Sequence, residues 1–334
     1  MRKINIPIFV SHQGCPNDCI FCNQKKITGV YKKEKWEEIR EKISSYIKSA
    51  PNECEIEISF FGGSFTGIDF DEQNMYLDIA NEFLYDKRIK GIRLSTRPDY
   101  INDKILKNLK EKNVTAIELG VQSMNDRVLD MNKRGLKCID TINASNLIKE
   151  YGFELGLQMM VGMYGSDYDE DINTAKELIK LKPHCVRIYP TVVIKETELY
   201  DLYKCKAFVP YTLEKAVTVC SKLLMMFEEN NIKVIRLGLM ASDEINEKTV
   251  FGPYHSSFRE LCESYILYNE IRDEVKKNKY GENINIYCNK KNISKIIGNK
   301  RCNINKLKDE FGFKNINIIA EKTDKMFDIK NSHS

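Results

Sequence analysis

The chain has 334 residues, 42% of them hydrophobic and 30% charged, with a formal net charge of +4. That balance agrees with a soluble protein, and the length suggests one large domain plus a small one, or two domains, with room for a sizeable core. No uninterrupted apolar stretch reaches the length of a membrane span, and the opening MRKINIPIFV is too short in apolar residues for a signal peptide.

Residues 6–10 read as a strand. Directly after it, Cys15, Cys19 and Cys22 follow one another as C-x₃-C-x₂-C. Three thiolates packed this tightly can ligate three irons of a cubane 4Fe–4S cluster and leave the fourth iron open to a small chelating molecule. A zinc knuckle would need a fourth ligand close by, and His12 is the sole candidate. A disulfide framework suits a large chain of cytoplasmic character poorly. The other eight cysteines are scattered without ligand spacing, and most of them read as buried free thiols.

A helix is predicted over residues 36–49, then a strand over 55–61 that ends in Gly62, Gly63 and Ser64, then a helix over 71–85. Strands over 91–96, 115–120, 154–161 and 185–189 then alternate with helices over 103–112, 126–131, 140–151 and 170–180. Six βα units in series argue for the α/β class, with parallel strands and right-handed crossovers closing partway into an incomplete (β/α)₆ barrel. In such a barrel function sits on the loops after the C-terminal ends of the strands.

The polar motifs fall at those positions. Gly62 and Gly63 let backbone approach a ligand closely. Ser95, Thr96 and Arg97 end the next strand, which Pro98 stops. Gln122 and Ser123 end the fourth with an amide and a hydroxyl suited to a ribose. Arg134 offers a fork for a carboxylate, against the blander reading of a helix-end surface arginine.

Beyond the barrel come a helix over 213–231 and a strand over 233–239. The segment FGPYHSSFR, residues 251–259, reads equally as a substrate contact at the barrel mouth or as a surface turn. Residues 283–323 show strand, helix, Gly-containing loop, helix, strand. From Glu274 onward fourteen Lys and Arg face seven Asp and Glu, a balance of +7 that leaves −3 for the rest. Such a tail is either solvated lysine-rich surface or a nucleic-acid contact.

Two family resemblances follow from these motifs. FFGGSFTG, STRPDY, IELGVQSMNDRVLDMNKRG and VRIYPTVVIKETELYDLYKCKAFVPYT, in unbroken order over residues 4–212, resemble the radical domain of the Elongator catalytic subunit. That family belongs to the radical S-adenosylmethionine superfamily, whose general cysteine spacing this chain shares. The resemblance implies that Cys15, Cys19 and Cys22 hold a 4Fe–4S cluster whose open iron binds S-adenosylmethionine, cleaved by one electron to a 5′-deoxyadenosyl radical. It further implies that Phe21 packs against the adenine, that Gly62, Gly63 and Ser64 meet the methionine amine, and that Arg134 meets its carboxylate. Gln122 would contact the ribose, with Gln158 in LQMMVGMYG as another polar adenosyl neighbour. Ser95 would take the place of a Glu in the family's pattern, and Glu55 that of a lysine associated with acetyl-CoA. The family's first two cluster cysteines also stand further apart. No acetyltransferase domain is predicted after the barrel, so acetyl transfer is not expected.

The second resemblance is in residues 296–307, which are similar to the core of a KH module that clamps nucleotides on a GxxG loop. Here Arg301 replaces the second glycine, making Lys300 and Arg301 candidates for RNA phosphates; a small cap packed on the barrel is the other reading. The expected domains are a radical core over 1–245, a helical connection over 246–280 and a small basic KH-like unit over 281–334. The resemblance points to a cytoplasmic enzyme acting on RNA, tRNA above all, and reduced by a flavodoxin or ferredoxin. Radical chemistry on a small metabolite, as in coproporphyrinogen oxidases, and an RNA-binding protein with a non-catalytic cluster are the alternatives.

Overall fold

A computed structural model describes residues 2–10, 14–15, 19–23, 34–239, 250–323 and 325–332; His12 lies outside them. Strands β1 (Arg2–Phe9), β2 (Cys54–Phe61), β3 (Ile89–Thr96), β4 (Val114–Gln122), β5 (Glu154–Val161) and β6 (Cys185–Pro190) pair in chain order, every pair parallel. The short β7 (Val193–Ile194) leaves the sheet, and β8 (Lys233–Leu237) returns to pair parallel with β6. The curled sheet therefore carries seven strands, one more than the six βα units account for, and its edge strands β1 and β8 do not pair. β9 (Val250–Phe251) joins β7 in a separate antiparallel pair.

Alternation along the strands sets the two faces of this half-barrel. Ile56, Ile58, Phe60, Ile92, Leu94, Ile117, Leu119, Leu155, Leu157, Val186 and Ile188 are buried together in the main core. α1 (Trp36–Ser49), α2 (Phe70–Asn81), α3 (Asp103–Glu111), α5 (Cys138–Glu150), α6 (Tyr168–Lys180) and α8 (Leu213–Glu229) pack on this face, while α4 (Asp126–Met131) lies outside that core and α7 (Glu198–Lys204) packs in a separate cluster with Ile20 and Val193; these are the eight helices of this part of the chain among the described residues. Six of them start on a side-chain cap: Asp69, Asn102, Asn125, Asp167, Thr197 and Thr212 each accept a backbone N–H of the first turn. α2 stops at Asn81, short of the predicted residue 85, where the Asn81 amide donates to the carbonyls of Leu77 and Lys112.

α9 (Phe258–Lys277) joins this core to a second one. Its Phe258 and Cys262 pack in the first, and its Leu267, Ile271 and Val275 in the second. α10 (Ile293–Ile297) and α11 (Cys302–Phe311) pack there against a mixed three-stranded sheet of β10 (Asn283–Cys288), β11 (Asn315–Ala320) and β12 (Asp328–Asn331). β10 lies in the middle, parallel to β11 and antiparallel to β12, a strand the sequence did not suggest. Between α10 and α11, Lys300 and Arg301 both take left-handed backbone, at φ 50° and 62°. A non-glycine residue pays roughly 1–2 kcal/mol for that conformation. Among the described residues no helix is long and apolar enough to cross a membrane.

Candidate active site

Gly14 and Gly67 pack against each other where the cysteine loop leaves the sheet. A Cβ on Gly14 would lie 2.2 Å from the Ser64 carbonyl oxygen, and one on Gly67 would lie 2.2 Å from the Gly14 oxygen. The loop is then anchored by its backbone: Ile20 N–H donates to Asn132 O at 3.3 Å, and Leu199 N–H donates to Ile20 O at 2.8 Å. Cys22 N–H closes a turn onto Cys19 O at 2.9 Å. Cys19 is buried, Cys22 half-buried, and Cys15 is exposed as a residue although protein packs around its sulfur. Desolvation raises the Cys15 thiol above its ordinary value, and the guanidinium groups of Arg134 and Arg97 oppose that rise. Phe21 packs beside Ile20, Val193, Leu199 and Phe208.

Gly62 and Gly63 end β2 with φ of 78° and 70°, a backbone open only to glycine at low cost. Ser64 is fully buried, and its hydroxyl is taken up inside the protein, 2.8 Å from Thr96 Oγ1 and accepting the Arg97 N–H at 3.2 Å. Gly62 and Gly63, in contrast, stay half-buried. Arg97, only 2% exposed, donates to both carboxylate oxygens of Asp99 at 2.9 Å. Ser95 precedes this turn, half-buried and two residues along β3 from Arg93.

A β-bulge brings the next groups together. The β4–β5 register shifts between Gly120 and Gln122, and Gln122 takes φ 72°. Such bulges re-aim side chains next to active sites. Gln122 is buried and accepts from Gln158 Nε2 at 3.3 Å. Arg134 reaches the same place from the loop after α4, which the Asn132 amide fixes by donating to Val128 O and Tyr164 O, both at 2.8 Å. Its Nη2 donates to Gly120 O, and its Nη1 lies 3.6 Å from Cys19 Sγ. Gly120 leaves room for this: a Cβ there would lie 3.0 Å from Arg134 Nη2 and 3.2 Å from Gln122 Nε2. Cys19, Gly120, Gln122, Arg134 and Gln158 therefore form one site.

Among the described residues, no three side chains of metal-ligating type converge as a single ion requires. A cubane asks instead that each thiolate reach a separate iron. Three thiols on one loop beside two guanidinium groups fit such an anionic cluster.

The sequence reading missed the charged floor of the half-barrel. Glu118 is buried and bonds Arg187, with Arg187 Nη2 at 3.0 Å, and it lies 3.4 Å from Arg93 Nη1. Arg93 also donates to Glu57 at 2.9 Å and 3.1 Å. Burial acts to lower the Arg93 pKa, but Glu57 and Glu118 outweigh it and hold the guanidinium above its ordinary value. The available signal was a charge alternating with Ile, Leu or Val in strands whose two faces are both covered. Lys300 and Arg301 lie apart from this site, exposed on the α10–α11 loop.

Residues 9–178 match the family described as the radical SAM superfamily, and residues 183–267 match a radical SAM C-terminal domain. A tRNA uridine(34) acetyltransferase of Methanocaldococcus jannaschii is 28% identical over 65% of this chain and 47% of its own length. Human Elongator complex protein 3 is 29% identical over 41% of this chain and 25% of its own. The chain thus spans about half the length of the archaeal relatives it matches. The solved structure of archaeal Methanocaldococcus infernus Elp3 with an N-terminal deletion has a TM-score of 0.63 at 25% identity, covering 81% of this chain and 64% of that one. Methylornithine synthase shares the fold, with a TM-score of 0.51 at 16% identity over 75% of each chain.

Proposed function

The chain belongs to the radical SAM superfamily, and from that premise we propose an Elongator-like enzyme that modifies RNA, with tRNA as its substrate class. The observation that carries the chemical half is the placement of Arg134 between the Cys19 thiol and the Gly120 carbonyl, with Gln122 and Gln158 alongside. When bound, a 4Fe–4S cluster and S-adenosylmethionine supply a one-electron cleavage to a 5′-deoxyadenosyl radical. Cys15, Cys19 and Cys22 are the residues to hold the cluster, with a flavodoxin or ferredoxin as reductant. Arg134 supplies a cation for the methionine carboxylate, and the backbone of Gly62 and Gly63 offers close approach for the amine. Gln122 and Gln158 present amide groups suited to the ribose, Ser95 lines the inner face beneath them, and Phe21 supplies an apolar wall. Lys300 and Arg301 are proposed as phosphate contacts in a KH-like unit.

The substrate class is supported by the names of the relatives, which are tRNA uridine(34) acetyltransferases and Elongator subunits. Only the radical half is proposed. Glu55, where the resemblance expects a lysine, pairs with Lys3 at 3.4 Å.

Two measurements test the two halves. Anaerobically reconstituted, reduced protein should release 5′-deoxyadenosine from S-adenosylmethionine; no release would sink the enzyme reading. Mass spectrometry of tRNA nucleosides from a deletion strain should show a lost modification; an unchanged profile would remove tRNA as the substrate.

A further inference from the structure

The segment after β9 and the loop between α10 and α11 close on one another around a cleft of about 470 Å³. That volume lies in the range of sites for small organic ligands. Leu261 and Ile297 give it apolar surface, while His255, Asn299 and Lys300 add polar and cationic groups; among the described residues Glu260 is the one acidic side chain of its lining. The wall between is rigid. Ser264 is buried and donates to Lys295 O at 2.7 Å, and Asn303 Nδ2 donates to Ser264 Oγ at 2.9 Å and to Lys295 O at 3.1 Å. His255 is fixed as well, because its Nδ1 accepts the Ser257 N–H at 3.1 Å. That bond assigns the ring proton of the neutral imidazole to Nε2.

The cleft is also tied to the barrel mouth. Tyr254, the residue before His255, packs with Val192 and Ile194 beyond the end of β6. Phe251 stacks on Tyr200 and Tyr203 at 5.8 Å and 5.1 Å, in the same cluster as Ile20, the neighbour of Cys19. Three residues lie between Phe251 and His255, and the four steps from one to the other reach at most ~14 Å.

We propose that this cleft takes one unstacked nucleotide of an RNA strand whose continuation passes the barrel mouth. The inference rests on the RNA reading above and names a second place where this chain grips that RNA. Lys300, with Arg301 beside it, meets phosphate; Asn299 meets the sugar; the His255 ring and the Leu261 and Ile297 side chains take the face of the base. Recognition of single-stranded RNA combines these elements: charge along the backbone and ring or apolar surface under splayed bases. Lys300 and Arg301 take left-handed backbone where the loop borders the cleft, with Lys300 in its lining.

The test uses the full chain, a fluorescein-labelled single-stranded RNA decamer, unmodified tRNA and AMP, all at fixed ionic strength. Wild type is compared with His255→Ala, Ile297→Trp and Lys300→Glu, with thermal midpoints measured to confirm that each folds. His255→Ala and Ile297→Trp, which fills the cleft, should each weaken decamer and tRNA binding about five-fold or more. Lys300→Glu should weaken binding and flatten its salt dependence by about 0.7 in the log–log slope. Photocrosslinks from 4-thiouridine RNA should map to peptides containing His255 or Asn299. Wild-type affinity in all three variants overturns the cleft while leaving the RNA reading in place. No RNA binding by wild type overturns that reading itself, and AMP binding as tight as the decamer reassigns the cleft to a free mononucleotide.

Discussion

Arg134 bridges two elements that the chain separates by more than a hundred residues, lying 3.6 Å from the Cys19 sulfur through Nη1 while Nη2 holds the Gly120 carbonyl. One side chain thus links the cysteine loop to the end of β4, and the backbone bond from Ile20 to Asn132 ties the same loop to the end of α4. The cysteine loop is positioned by the very group proposed to bind the cosubstrate.

Replacing Arg134 with Ala should weaken S-adenosylmethionine binding by about 1.5–3 kcal/mol, the worth of a charge-assisted hydrogen bond. Arg134→Lys keeps the charge but loses the planar fork, so it should recover only part of the loss. Calorimetric titration of reconstituted protein reads both. Wild-type affinity in the alanine variant would show that the carboxylate is bound elsewhere.

Gly120→Ala tests the space around that arginine without removing a charge. The added Cβ would meet Arg134 Nη2 at 3.0 Å and Gln122 Nε2 at 3.2 Å, tighter than ordinary contact. Cosubstrate affinity should fall several-fold, while iron bound after reconstitution stays at the wild-type level. Loss of iron together with affinity would instead mean that the substitution disrupts the cysteine loop as a whole.

Cys19→Ala should leave the fold intact, because the loop is held by backbone bonds at Ile20. Reconstituted wild type should carry about four irons and four sulfides per chain, and the variant should lose the cluster's visible absorbance. Tightly bound zinc and no iron in wild type would end the cluster reading.

Much of this arrangement was legible in the sequence because period and punctuation agree. α1, α4 and β5 match their predicted spans residue for residue, each bounded by a turn or cap the sequence displays. The placement of the polar motifs after the strand ends was legible too, because Gly62, Pro98 and Ser123 punctuate the apolar runs before them. What could not be read is non-local. The hydroxyl of Ser64 turns inward because Thr96, thirty-two residues away, offers a partner. The pairing of β7 with β9 joins residues far apart in the chain, and β12 depends on a free edge of β10. The ion network failed for a different reason: Glu57, Arg93, Glu118 and Arg187 look like solvated strand residues until the sheet curls over them.

That network gives a stability prediction. Glu118 is the carboxylate bonded to Arg187 and also faces Arg93. Glu118→Gln keeps the shape but leaves the Arg187 guanidinium without its carboxylate, while Arg93 keeps Glu57. Breaking a buried pair from one side typically costs about 3–5 kcal/mol, so denaturant unfolding should shift to markedly lower midpoints. A loss near zero would mean that water reaches the floor of the half-barrel and screens it.

Asp171 supplies the pH prediction. It is buried beneath the loop after β5, accepting from Gly162 N–H at 3.0 Å, Ser166 Oγ at 2.8 Å and Tyr211 OH at 3.2 Å. Burial pushes its carboxyl up to about 7 despite those donors. An unfolded aspartate titrates near 3.9, so between about pH 4 and 7 the folded state holds a proton that the unfolded state has lost. Stability from this group is therefore complete below about pH 4 and falls as pH rises toward 7, by up to about 1.4 kcal/mol per pH unit. Asp171→Asn cannot titrate and should lack this slope. Subtracting the variant's unfolding free energy from that of wild type at each pH isolates it from the other carboxylates, and a difference flat from pH 4.5 to 6.5 would show that the three donors keep Asp171 ionised throughout.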